Sequence, residues 1–126
     1  GITLEEPEDG KPVLRWVSIV GKAKSYQGEA LPRDFSPCGE AIARRQSLLM
    51  REPARLYSYL ADVDLPIRAV LLVPFPQRGK FMGTVWAIRH HVPRLFDAEQ
   101  QRMMEGLTTF AAAILDARSR RPGQNV

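Results

Sequence analysis

One stretch constrains this chain more than any other: from Asp97 to about Arg118, apolar residues recur with helical period at Met103, Met104, Leu107, Phe110, Ala111, Ile114 and Leu115. Asp97 is an N-cap residue, and Gln100 three positions on completes a capping box. Arg118, Arg120 and Arg121 complement the negative end of the helix dipole before Pro122 and Gly123 stop the helix. At about 1.5 Å per residue this helix is about 30 Å long. Its stripe Met103, Leu107, Phe110, Ile114 is wider than one helix packed on a sheet needs.

Upstream the periodicity changes to that of strands. Gly1 to Glu6 and Val13 to Val20 are rich in β-branched and aromatic residues, and the turn formers PEDGKP lie between them, so a β-hairpin is expected. In its second strand Val13, Val17 and Ile19 share one face with Arg15, while Leu14, Trp16 and Val20 share the other, which predicts a central strand covered on both sides. Arg68 to Pro74 and Phe81 to Arg89 are two further apolar runs, joined across the turn PQRGK. Gly83 inside the second of them marks a bulge or a close backbone approach.

Between the hairpins the chain is irregular. Gly21 to Phe35 is a polar loop containing Gly28 and Pro32, long enough to bind something or to move. Ser36 offers an N-cap hydroxyl and Pro37 fits the first helical position, so a short amphipathic helix follows, carrying Ala41, Ile42 and Ala43. Ser47 to Met50 returns to a strand. Leu56, Tyr57 and Leu60 stand at helical spacing and predict a second short helix before Asp62 and Pro66. The sum is an α+β domain: a central antiparallel sheet of about six strands with helices on both faces.

Composition narrows the function classes. A length of 126 residues suits one folded unit. No apolar run approaches the roughly 18 to 20 residues of a membrane span, so this segment is expected to make no membrane contact. Cys38 is the single cysteine, which leaves no internal disulfide or multi-cysteine metal site and suits a reducing cytoplasm. The formal charge of +4 raises the question of nucleic acid. The basic residues are scattered among acids without a recognition motif, so a solvated basic surface is expected and no nucleic-acid partner.

The order of these elements resembles the GAF domain of bacterial sensor histidine kinases and related regulators. The likeness is carried by LRWVSIVG at Leu14 to Gly21, RDFSPCGEAI at Arg33 to Ile42, LLVPF at Leu71 to Phe75, GTVWAIRH at Gly83 to His90, and RLFDAEQQRMMEGLTTFAAAIL at Arg94 to Leu115. The family's usual N-terminal helix, which packs beside the C-terminal one, has no counterpart in the sequence before Gly1. The resemblance implies a sensory domain over residues 1–120 with a tail or linker at 121–126. It also implies a small-molecule pocket on the sheet face away from the terminal helices, and an output domain on the same polypeptide. Family ligands vary too widely for the fold to choose one, and no cofactor is assigned.

Residues able to carry chemistry are few. Cys38 in the first turn of a helix is either a small buried hydrophobe or a thiol activated by the helix end. GAF domains that reduce methionine sulfoxide use several cysteines, and bilin-binding ones commonly place His after the anchoring Cys, where this chain has Gly39. His90 and His91, adjacent in a strand, point to opposite faces and make a poor chelating pair. The cyclic-nucleotide signature of the family is missing, and no nucleophile and base, phosphate loop or carboxylate pair occurs. No enzyme activity is expected of this domain.

The expected function is ligand sensing, with occupancy passed through the terminal helix to the output domain. The alternative is a GAF domain without ligand that serves as a homodimerisation module through the Met103, Leu107, Phe110, Ile114 stripe, which the family's N-terminal helix would otherwise cover. An aromatic pocket drawn from Trp16, Trp86, Phe35, Tyr26, Tyr57 and Tyr59 would suit a small, flat or anionic molecule, with Arg15 or Arg89 meeting an anion. The cavity is placed between Phe35, Cys38, Met50, Leu71, Val73 and Trp86, on the face opposite the C-terminal helix.

Overall fold

The computed structural model describes residues 1–76 and 81–119. Strands β1 (Ile2–Glu8) and β2 (Lys11–Ser18) form the first hairpin. Only Asp9 and Gly10 are left as the turn, both at positive φ, 52° and 79°, the geometry a tight two-residue hairpin requires. The six turn formers thus shrink to two. Pro7 and Pro12 pair across the ladder one step from the turn, at a position that lacks mutual hydrogen bonds, so their missing N–H groups cost nothing there.

The region Gly21 to Phe35 is more ordered than its composition indicates. It holds a 3-10 turn at Lys24–Tyr26, strand β3 (Ala30–Pro32) and a second 3-10 turn at Arg33–Phe35. Strand β3 pairs with β2 through Val13, Leu14 and Arg15, which supplies a sheet edge that sequence periodicity cannot reveal in three residues. Helix α1 (Pro37–Arg44) follows, with the Ser36 hydroxyl accepting from Gly39 N at 2.9 Å and Pro37 in the first turn, as expected. Arg45 closes it in the left-handed region at φ 59°.

Strand β4 (Leu48–Arg51) comes next. The helix expected around Tyr57 is instead two 3-10 turns, Pro53–Arg55 and Ser58–Asp62. Only Pro53 and Leu60 are buried in them and Leu56 points to solvent, so no apolar face exists to offset the cost of nucleating an α-helix. Strands β5 (Ala69–Pro74) and β6 (Gly83–Arg89) form the second hairpin; its turn, residues 77–80, lies outside the described residues.

The six strands lie in one antiparallel sheet in the order β3-β2-β1-β6-β5-β4. Strand β2 is therefore next to an edge, and the centre belongs to β1 and β6. It also ends at Ser18, so alternation does not reach Ile19 and Val20: Ile19 turns inward to 2% exposure and Val20 outward to 82%. Gly83 pairs with Leu4 of β1, and a Cβ there would collide with the Thr3 carbonyl. This is the close approach the sequence pointed to.

Helix α2 (Ala98–Ser119) packs on the sheet against β5 and β6. Its capping box is reciprocal: Gln100 N donates to Asp97 Oδ1 at 2.8 Å and Asp97 N donates to Gln100 Oε1 at 2.9 Å. Thr108 and Ala112 are the buried residues of the helix, whereas Met103, Leu107, Phe110 and Ile114 face solvent. Arg120 to Gly123, expected to end the helix, fall outside the described residues, as does the tail 121–126. Among the described residues no helix is long and apolar enough to cross a membrane.

Candidate functional site

Cross-strand register decides which side chains share a face. Thr3 pairs with Trp16 on β2 and with Thr84 on β6; Trp86 pairs with Leu72 and Ile88 with Val70; Leu48 and Met50 pair in turn with Leu72 and Val70. All of these point to the face covered by α1. There the apolar ones join Leu14, Ile19, Cys38, Ala41 and Ile42 in one core cluster.

A pocket of about 70 Å³ lies in this layer. The sheet contributes Leu14, Trp16, Val70, Leu72, Trp86 and Ile88. The cover contributes Tyr26, Ser36 and Cys38 with Tyr59, Leu60 and Val63. Trp16 lies edge-on to both Tyr26 and Trp86, with ring centroids 6.1 and 6.5 Å apart. These three rings define one side of the space.

Of the six residues expected to bound the cavity, Cys38 and Trp86 lie in its wall. Met50 packs against the same core from β4 without lining the pocket. Phe35 is half exposed and stacks on Tyr57 and Tyr59 at 5.4 and 5.6 Å, outside the wall to which Tyr59 belongs. Leu71 and Val73 are on the wrong side of the sheet for the expected grouping. They alternate with Val70 and Leu72, and Val73 borders a groove with Glu105 and Thr109 of α2. Val70 and Leu72 hold the places assigned to them.

The polar atoms of the wall are mostly committed. Trp86 Nε1 donates to Thr3 Oγ1 at 2.8 Å, and Cys38 Sγ donates to the same oxygen at 3.8 Å. Asp64 N donates to the Tyr26 hydroxyl at 2.9 Å. The Tyr59 hydroxyl is shielded from solvent and has no partner. Burial, with smaller contributions from Cys38 and Tyr57, pushes its pKa well up, so it remains a neutral phenol.

Burial also dominates at Cys38 and raises its pKa, against the smaller lowering by its hydrogen bonds with Thr84 and Thr3. The thiol is therefore the small buried hydrophobe of the two readings, despite its place in the first turn of α1. Gly39 has a steric reason of its own: a Cβ there would strike the Arg33 carbonyl, so the glycine lets α1 seat against the preceding turn.

Neither arginine expected to meet an anion faces the pocket. Arg15 bridges Glu6 and Glu8, and Arg89 lies 4.4 Å above the Phe96 ring while donating to Gln100 at the start of α2. His90 and His91 are also committed separately, Nδ1 of His90 to the Pro66 carbonyl and Nε2 of His91 to Lys22 Nζ.

Comparison with known proteins agrees with this architecture. The second GAF domain of DevS from Mycobacterium smegmatis superimposes with a TM-score of 0.67 at 22% identity, over 95% of this chain and 83% of that one. Another structure of a DevS domain from the same organism, its GAF-B domain, gives 0.66 at 21%, with the same coverage. The GAF domain of a two-component sensor histidine kinase from Bacillus halodurans gives 0.57 at 17%, over 94% and 84%. These likenesses establish the fold. A search of curated proteins gave no match. The GAF domain family profile matches residues 1–116, and the chain belongs to that family.

Proposed function

We propose that this chain is a ligand-sensing regulatory domain of a cytoplasmic two-component signalling protein, without catalytic activity of its own, coupled through α2 to an output domain of the same polypeptide. The observation that carries this reading is the pocket between α1 and the sheet, whose wall and whose opposite side are formed by the same two strands. On β5 and β6, Val70, Leu72, Trp86 and Ile88 face the pocket while alternate residues face the α2 side. A side-chain displacement at Trp86 would move the strand on which α2 rests. The free thiol of Cys38 fits a reducing compartment, and the structural relatives named for sensor kinases fit the signalling role.

The test is a thermal-shift and native mass-spectrometry screen against small metabolites, run beside Ala23→Leu, which adds three carbons at the pocket edge. At least one compound should raise the melting temperature of the wild type and leave the variant unmoved. Equal shifts in both proteins would show that the pocket plays no part.

A second reading has its own observation. Met103, Leu107, Phe110 and Ile114, spaced by four, three and four residues, stand 64%, 59%, 65% and 41% exposed on one face of α2. That is the spacing of a coiled-coil seam, and it supports homodimerisation through α2. Light scattering should then report a dimer that Leu107→Glu converts to monomer, and a strict monomer at high concentration rejects this reading.

A further inference from the structure

The wall of the pocket beneath α1 restricts what a sensing site there can hold. None of its lining residues is charged. A buried charge without a partner is expensive, so neither an anion nor a cation belongs there. The flat anionic ligand expected from Trp86 and the start of α1 does not fit, because Arg15 and Arg89 are engaged elsewhere and Arg33 pairs with Glu5 at 2.9 Å.

Size restricts the ligand further. By comparison, a cavity of about 150 Å³ holds one benzene, six non-hydrogen atoms. The pocket's 70 Å³ therefore admits about three or four non-hydrogen atoms.

One polar group decides the remaining chemistry. Trp86 Nε1 and Cys38 Sγ are bonded to Thr3, Ser36 Oγ to Gly39 N, and the Tyr26 hydroxyl to Asp64 N. The Tyr59 hydroxyl alone among the wall's side-chain polar groups is buried without a partner. Buried donors in folded proteins are nearly always satisfied. Building on the sensing role proposed for this site, we infer that the pocket selects a neutral, largely apolar molecule of about three or four non-hydrogen atoms. It carries one hydrogen-bond acceptor, as a short ketone, aldehyde or ester does, which accepts the Tyr59 hydroxyl proton.

The two tryptophans of the chain, Trp16 and Trp86, both line the pocket, so their indole N–H signals in a proton–nitrogen NMR spectrum report occupancy. The probes are acetone, its hydrocarbon isostere 2-methylpropene, acetate and isopropylammonium. Acetone should bind more tightly than the isostere, and Tyr59→Phe should weaken the ketone about fivefold, the value of one neutral hydrogen bond, without affecting the hydrocarbon. The two ions should not bind. If ketone and hydrocarbon bind equally, or if Tyr59→Phe leaves the ketone unchanged, the acceptor inference is overturned while the sensing site stands. Preferred binding of either ion overturns the neutral class. If no probe shifts either indole, the site itself fails and the sensing reading goes with it.

Discussion

Trp86 and Thr3, 83 positions apart in sequence, are joined by a 2.8 Å hydrogen bond from the indole N–H to the threonine hydroxyl, and that bond fixes the ring that walls the pocket. Thr3 is fully buried, and the same oxygen receives the Cys38 thiol. Thr3→Val keeps the shape and strands the indole donor. The variant should lose about 1 to 3 kcal/mol in denaturant unfolding, the cost of an unsatisfied buried polar group. Unchanged stability would mean that the indole finds another acceptor.

Gly83 should tolerate no side chain. Because its Cβ would collide with the Thr3 carbonyl, Gly83→Ala must shift β1 away from β6 at the register pair Leu4 and Gly83. A loss of about 1 to 3 kcal/mol, the usual cost of overpacking, is expected by chemical denaturation. Gly106, whose Cβ would meet nothing, is the control: Gly106→Ala on the exposed part of α2 should stabilise by about 0.5 to 1 kcal/mol.

Cys38 makes stability depend on pH in the alkaline range. Burial raises its pKa in the folded protein, so the thiol ionises first in the unfolded chain. Its contribution is complete below the unfolded thiol value of about 8.5 and is lost as pH rises above it. The wild type should lose stability between about pH 8 and 10 more steeply than Cys38→Ala. Parallel curves would show that the thiol ionises equally in both states. The native thiol should also react far more slowly than the unfolded one with an aromatic disulfide reagent.

The legibility of this chain followed the length of its signals. The capping box at Asp97 and Gln100, the Ser36 and Pro37 start of α1, and the close approach at Gly83 are local rules with one physical outcome, and all three appear in the structure. The three-residue strand β3 and the 3-10 turns around Tyr57 are set by their neighbours, which local periodicity does not contain. Pocket membership depended on parity. A hairpin's register follows from its turn, and without it Leu71 and Val73 could not be told from Val70 and Leu72, although one residue separates opposite faces. For Ile19 the cause was different: the strand ended at Ser18, two residues before the end of the run Val13 to Val20.

The proposed sensing role requires that occupancy of the pocket be felt by α2 on the other side of the sheet. Backbone amide chemical shifts, recorded with and without saturating acetone, measure that coupling residue by residue. Changes are expected at Leu72, Trp86 and Ile88 in the wall and also at Met104, Thr108 and Ala112 along α2, with both sets lost in Ala23→Leu. Shifts confined to the pocket wall, with α2 unmoved at saturation, would contradict the coupling.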